Sequence, residues 1–133
     1  DIISIYLGAN DITKLTLGTI NDMYSEGDET CTYYGGLKYI VKKLKETYPL
    51  AMIILIGNTY TTTRVSSQVD NFNNAKKEIA DLYNVLYLDM ARVTGFDLSF
   101  ESMVTELQLN SIHPNYKAHE IMGSRLTGFI ASH

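Results

Sequence analysis

The sequence predicts an α/β fold built on a parallel sheet, because strand-like and helix-like segments alternate along the whole chain. Three near-continuously apolar runs, rich in Ile, Leu, Val and Tyr, are typical of strands covered on both faces; they span residues 2–8, 51–57 and 85–90. A segment with apolar residues at three-to-four spacing follows each run. This alternation favours parallel strands joined by right-handed helical crossovers.

Each predicted helix has one apolar stripe and a residue that marks its start or its end. Pro49 closes the first helix. Ser66 or Ser67 can cap the second helix, and Pro114 suits the first turn of the last. The stripes consist of Leu37, Ile40, Val41 and Leu44 in the first helix, Val69, Phe72, Ile79 and Leu82 in the second, and Ala118, Ile121, Met122, Leu126 and Phe129 in the last.

Length and composition indicate one globular domain over residues 1–133. The chain is 45% hydrophobic and 20% charged, and it contains no internal repeat. Its formal net charge is −4, and the densest basic stretch, residues 38–46, interleaves with apolar residues, so nucleic acid is not an expected partner. The longest apolar run, residues 51–56, is too short to cross a bilayer, and no signal peptide is visible, which leaves the localisation open.

Two connections are long enough to predict binding or lid loops. Residues 12–32 and 91–112 exceed the usual length of a connection several-fold. Both follow the C-terminal end of a predicted strand, where open α/β sheets bind their ligands. We therefore expect the functional residues at this edge of the sheet.

The first predicted strand, residues 2–8, raises a question about its neighbours. In the simplest strand order it lies at an outer edge of the sheet, yet it contains none of the charges or prolines that normally protect such an edge from aggregation. We therefore expect a different strand order, a second chain that pairs there, or an N-terminal segment that is absent from this chain.

Two polar motifs stand where catalytic groups would be expected. Asn10 follows the first strand after Gly8 and Ala9, so its carboxamide could donate to an oxyanion held close to the backbone. Taken alone, a simple turn is the commoner explanation for such an Asn. His113 directly precedes Pro114, and an imidazole is the usual general base near neutral pH, although a helix-capping segment is again the commoner explanation.

Taken together, the two motifs match a pattern known from one enzyme family. "DIISIYLGAND" near the start and "NSIHPNYKAH" near the end resemble blocks of the SGNH, or GDSL-type, hydrolases. In that family a G-x-N-D block ends the third strand and a D-x-x-H-P block precedes the last helix. Gly8, Asn10 and Asp11 match the first block, and His113 and Pro114 match the second. The resemblance spans essentially the whole chain.

The resemblance implies a fold and a chemistry. The fold is a three-layer α/β/α sandwich of the flavodoxin-like type with a five-stranded parallel sheet. The reaction is hydrolysis of an acyl ester, such as a lipid, a small ester or an acetylated carbohydrate, through a serine nucleophile. His113 would accept the serine proton and return it to the leaving alcohol, and Asn10 would bind the oxyanion. Gly8 and Asp11 would shape the turn, and no metal or cofactor is implied.

The family's nucleophile block is missing from this sequence. The block is Gly-Asp-Ser after the family's first strand, whereas here Gly27 and Asp28 are followed by Glu29 and no strand precedes them. We therefore expect the chain to be a C-terminal portion of the domain, incomplete at its N-terminus and inactive alone. The missing N-terminal strands, or a second chain, would pair along residues 2–8.

A second departure concerns the group that orients the imidazole. Asn110 stands three residues before His113, where the family usually has Asp. An Asn carbonyl can accept the imidazole N–H but cannot stabilise the imidazolium by charge, and in serine proteases the same exchange lowers turnover by about 10⁴. Either Asn110 orients His113 and activity is weak, or Asp89, Asp97 or a backbone carbonyl takes its place.

Two other interpretations stay open. Cys31, the only cysteine, lies near the start of a predicted helix and could form a Cys-His-Asn set with His113 and Asn110, although a lone cysteine is usually a packing residue. Alternatively, the chain is a non-catalytic, degenerate hydrolase fold that binds a carbohydrate or a partner chain. Arg64, beyond the second strand, could meet an anionic substrate group or simply be solvated.

Overall fold

The computed structural model describes residues 1–133 and confirms the predicted α/β class. The strands are β1 (Ile2–Ile5), β2 (Met52–Ile56) and β3 (Leu86–Leu88), and the helices are α1 (Asp11–Lys14), α2 (Tyr33–Thr47), α3 (Ser66–Tyr83), α4 (Met90–Val93), α5 (Glu101–Leu107) and α6 (Tyr116–Ala131). No helix has both the length and the apolar character needed to span a membrane.

The strands form one parallel sheet in the order β1-β2-β3. Ile3 of β1 lies beside Ile53 of β2, and Ile54 of β2 lies beside Leu86 of β3. Each strand lies within its predicted run but ends earlier, in β3 because Asp89 already caps a helix. Since the strands are parallel, their carboxyl ends share one edge of the sheet.

Helices cover both faces of the sheet and produce three layers. Ile53 and Leu55 of β2 belong to a core that the sheet forms with α2 and α3, whereas Ile54 and Ile56 belong to a second core with α5 and α6. This alternation reflects the two-residue period of a strand. β2 is therefore buried on both faces, as its unbroken apolar run predicts.

The helix starts differ from the predicted ones. α3 begins at Ser66 with Val65 as its N-cap and has no side-chain capping bond, so the predicted serine cap is wrong. α6 begins later than Pro114. Its N-cap is Asn115, whose side chain accepts a hydrogen bond from the N–H of Ala118. A short polar side chain thus provides the cap that helix N-termini require.

The connection over residues 91–112 is not the long loop that the sequence predicts, because two helices occupy much of it. The Asp89 carboxylate caps α4 by accepting a hydrogen bond of 3.2 Å from the N–H of Arg92. α5 packs Leu107 into the second core. Residues 15–32 are irregular, so only the first of the two predicted loops is present.

β1 lies at an outer edge of the sheet, as the simplest strand order predicts. It pairs only with β2, and Ile2 remains 53% exposed. Leu7, Leu15 and Ile40 line an apolar groove and are also exposed. We call this groove, together with the free edge of β1, the β1 flank. An uncovered apolar flank of this kind is unusual at a sheet edge.

Lys76 is the most deeply buried lysine of the chain, with 1% of its surface exposed. Its ammonium donates hydrogen bonds to the carbonyl of Ile56 at 2.8 Å and to Oδ1 of Asn58 at 2.6 Å. Burial lowers the pKa of Lys76 to about 7, and the nearby Asp11 carboxylate opposes this shift only in part.

We expect Lys76 to make the stability of the fold depend on pH. The ordinary lysine pKa of 10.5 applies to the unfolded chain, whereas the folded-state pKa of Lys76 is about 7. Between these two values the unfolded chain binds a proton that the folded chain does not, so raising the pH favours folding. Relative to a Lys76→Met variant, the protein should gain roughly 1 kcal/mol in free energy of unfolding per pH unit.

Denaturant titrations of the protein and of Lys76→Met at a series of pH values across this window measure the effect. The other ionisable groups are common to both proteins, so their contributions cancel in the difference between the two unfolding free energies. A difference that does not change with pH would contradict the depressed pKa.

Candidate active site

Asn10 and His113 come from opposite ends of the chain and line the same cleft. The cleft has a volume of about 240 Å³ and lies where the turn after β1 meets the segment before α6. Its walls are formed by Tyr6, Ala9, Asn10, Ile112, His113, Pro114, His119 and Met122. The structure thus brings together the two motifs that the sequence analysis singled out.

The side chain of Asn10 is free to act within the cleft. Asn10 occupies the N-cap position of α1, but its side chain makes no capping bond and no other hydrogen bond within the chain. Its backbone carbonyl instead accepts hydrogen bonds from the N–H and hydroxyl of Thr13. A turn-forming Asn would bond its own neighbouring backbone. The turn explanation therefore does not account for the carboxamide.

Gly8 gives the turn before Asn10 a conformation that other residues rarely adopt. Its φ is 123°, in the region that favours glycine. A Cβ atom at this position would lie 2.8 Å from Oδ1 of Asn58, 3.1 Å from the hydroxyl of Tyr33 and 3.5 Å from Nζ of Lys76. The turn therefore depends on glycine both for its φ angle and for the close approach of this polar group.

Arg64 anchors the same turn from the connection that follows β2. Its Nε donates a hydrogen bond of 3.1 Å to the carbonyl of Ala9, and its Nη1 donates one of 3.0 Å to the carbonyl of Thr63. Arg64 is therefore not simply a solvated surface residue. It ties the connection after β2 to the turn that carries Asn10.

His113 lies in a bent segment between α5 and α6 that is fixed at several points. Leu109 is fully buried, and its carbonyl accepts a 2.8 Å hydrogen bond from the N–H of Thr62. The His113 N–H donates to the hydroxyl of Ser111 at 3.2 Å. The imidazole itself is exposed and makes no hydrogen bond within the chain. Its ring nitrogens are therefore available to a substrate or a nucleophile.

None of the predicted side-chain partners orients the imidazole of His113 in this structure. Asn110 is exposed, lies outside the cleft wall and makes no hydrogen bond with His113. Asp89 caps α4, which does not support its proposed pairing with His113. The Asp97 carboxylate accepts two hydrogen bonds from Ser99 instead. The role of Asn110 stays a prediction.

Cys31 and Asp11 lie in the apolar groove of the β1 flank rather than in the cleft. The structure therefore does not assemble a Cys-His-Asn set from Cys31, His113 and Asn110. Asp11 is the first residue of α1, where a carboxylate favours the helix N-terminus. That position is consistent with the predicted role of shaping the turn.

The sequence-based prediction did not include Lys76 and Asn58, the buried polar residues beneath the turn. Lys76 resembles a surface lysine in an amphipathic helix, but it occupies a position on the apolar stripe that Val69, Phe72 and Ile79 define. A lysine on such a stripe is forced into the core. This spacing was a usable signal. Asn58 gave no comparable signal, because polar residues commonly follow strands.

Comparisons with known proteins place the chain in a family. The sequence model of the GDSL-like lipase/acylhydrolase family matches residues 1–126. No curated protein sequence matches the chain. A solved structure from Lactobacillus plantarum is 22% identical, with a TM-score of 0.82, and the alignment covers 100% of this chain and 67% of that one. A candidate GDSL-like lipase from Parabacteroides merdae is 18% identical, with a TM-score of 0.69 and coverages of 93% and 57%.

These likenesses agree with the fold described above. Both solved proteins share the arrangement of a parallel sheet between helices, and this chain spans 67% and 57% of their lengths. The family match covers almost every element, from β1 into α6. The chain belongs to the GDSL-like lipase/acylhydrolase family.

Proposed function

We propose that this protein is a serine-type ester hydrolase in which His113 is the general base and Asn10 is an oxyanion donor. The observation that carries the proposal is the shared cleft, where an imidazole and a carboxamide without hydrogen bonds in the chain line the same walls. Groups of these two types that share one cleft and have no hydrogen bonds within the chain suit the attack of a nucleophile on an ester carbonyl.

In the proposed mechanism His113 transfers one proton, and Asn10 stabilises one developing negative charge. A ring nitrogen of His113 accepts the hydroxyl proton as the serine oxygen attacks the ester carbonyl. The carboxamide N–H of Asn10 donates to the oxyanion of the tetrahedral intermediate. His113 then returns the proton to the leaving alcohol, and a water molecule hydrolyses the acyl-enzyme by the same route. Gly8 and Asp11 keep the turn in place.

The nucleophilic serine is proposed to lie outside this chain, on a segment that covers the β1 flank. Two observations support this arrangement. Ile2 of β1 and Leu7, two residues beyond the end of the strand, are exposed, and β1 has one free edge. The groove of the flank includes Asp11, the residue next to Asn10, so a segment bound there would end close to the cleft. A second chain that pairs with β1 would serve equally well.

The substrate is proposed to be a small or acetylated ester, including esters of carbohydrates. A cleft of about 240 Å³ suits a short acyl group better than a long chain. Tyr6 provides an exposed aromatic wall in the same cleft, a feature that fits a sugar or another flat group.

A non-catalytic binding module is the second candidate function. Two observations favour it. No side chain forms a hydrogen bond with the imidazole of His113, and Asn110, its predicted partner, lies outside the cleft wall. In this case the cleft would bind a carbohydrate or a partner chain without turnover. Reaction with an ester substrate separates the two candidates.

We expect His113→Ala in the full-length protein to abolish hydrolysis of an acetyl or butyryl ester, because the serine then lacks its base. A fluorophosphonate probe should label a serine of the unmodified protein and label the variant far more slowly. His133→Ala is a matched control, because His133 lies after α6 and bonds the carbonyl of Phe129. Full activity of His113→Ala would defeat the assignment, and absence of labelling in the unmodified protein would favour the binding module.

We expect Asn10→Ala to lower kcat on the order of 10²–10³-fold with little change in KM, since an oxyanion donor acts mainly in the transition state. Asn10→Asp should lower kcat at least as much, because a carboxylate repels the developing oxyanion. Asn74→Ala, an exposed position on α3, is the control. Steady-state kinetics measure all three variants, and an unchanged kcat in Asn10→Ala would remove Asn10 from the mechanism.

We expect the backbone amides of β1 to be protected from hydrogen exchange in the full-length protein as strongly as those of β2. Pairing along the free edge of β1 would satisfy amides that face solvent in this chain. Hydrogen exchange followed by mass spectrometry over residues 1–8 and 51–57 measures the two strands together. Fast exchange confined to β1 would show that nothing pairs with this edge.

A further inference from the structure

We infer that Lys76 is a positioning residue, which holds the Asn10 turn in place through Asn58. The inference rests on the proposed function, because it concerns the turn that carries the proposed oxyanion donor. Lys76 lies on α3, outside the cleft, and takes no part in the proposed proton transfers.

Asn58 is attached to α3 through two residues, Asn73 and Lys76. The Asn58 N–H donates to Oδ1 of Asn73 at 2.7 Å, and Nδ2 of Asn73 donates to the carbonyl of Asn58 at 2.9 Å. Lys76 donates to Oδ1 of the Asn58 side chain at 2.6 Å. Asn73 and Lys76 are three residues apart and so lie on the same side of the helix. Together they fix both the backbone and the side-chain direction of Asn58.

The Asn58 side chain also lies beside Gly8, in the turn that carries Asn10. The space that a side chain at position 8 would occupy is filled by Oδ1 of Asn58, with Nζ of Lys76 and the hydroxyl of Tyr33 close by. Gly8 is buried and precedes Asn10 by two residues. The oxygen that Lys76 holds is therefore the atom nearest to the open side of Gly8.

A charged lysine is unfavourable at this buried position. Burial disfavours the charged ammonium and lowers the pKa of Lys76 to about 7. The groups around it are the Asp11 carboxylate of α1, the Tyr6 ring 5.8 Å away and the Tyr33 hydroxyl of α2, and none forms an ion pair with it. An apolar side chain of similar length would avoid this cost but would leave two carbonyl oxygens without their donor.

The test combines Lys76→Met with the Asn10→Ala variant in the full-length protein. We expect Lys76→Met to lower kcat about 10- to 10²-fold with little change in KM, because a misplaced donor loses transition-state stabilisation rather than substrate binding. In the Asn10→Ala background the same change should have little further effect on kcat, since the donor it positions is gone. Lys77→Met, on the exposed face of α3, is the matched control.

The position of the turn is measured separately by NMR relaxation of the Ala9 and Asn10 backbone amides. We expect these signals to broaden or shift in Lys76→Met and to stay unchanged in Lys77→Met. Asn58→Ala removes the contact with Gly8 while leaving Lys76 its bond to Ile56, so it should reproduce both effects. This second variant decides the matter if Lys76→Met does not fold.

Each result points in one direction. An equal loss of kcat from Lys76→Met in both backgrounds, or unchanged Ala9 and Asn10 signals, would overturn the positioning role while leaving the proposed hydrolase intact. If Asn10→Ala and His113→Ala both keep full turnover, the proposed function fails, and the NMR signals alone then decide whether Lys76 holds the turn.

Discussion

The parallel pairing of β1 with β2 is the constraint on which the cleft depends. It brings the carboxyl ends of both strands to one edge, so the turn that carries Asn10 lies beside the connection that follows β2. From that connection Arg64 bonds the carbonyl of Ala9. A shift of β1 by one residue would turn its core-facing side chains toward the opposite face and break this bond. The position of the cleft is thus a consequence of strand register.

The residues that fix the geometry of the turn beneath the cleft are unfavourable for the stability of the fold. Gly8 adopts a φ angle that glycine alone tolerates well, and the amino group of Lys76 lies in a place where burial disfavours its charged form. The hydrogen bonds of Lys76 and Asn73 to Asn58 satisfy the buried polar atoms of these three residues. The three residues therefore form a rigid network, although burying them reduces the stability of the fold. A stiff support suits a donor that must be in position before charge develops in the reaction.

The sequence predicts the parts of the fold that depend on short-range patterns. The apolar runs predict all three strands, and the order β1-β2-β3 follows from the simplest connections. The motifs around Asn10 and His113 resemble blocks of the family to which the chain belongs, and both residues line one cleft. The predictions fail where one side chain overrides the pattern, as when Asp89 caps a helix in an expected loop. The buried contact of Lys76 with Asn58 joins distant segments, so no local pattern could reveal its partner.

The connection after β2 is bonded both to the turn that carries Asn10 and to the segment that leads to His113. Arg64 holds the carbonyl of Ala9 on one side, and the N–H of Thr62, two residues earlier, holds the carbonyl of Leu109 on the other. Residues 62–64 therefore tie the turn that carries the carboxamide to the segment that leads to the imidazole. Adding or removing a residue within this strip would shift the two segments relative to each other without altering either reactive group.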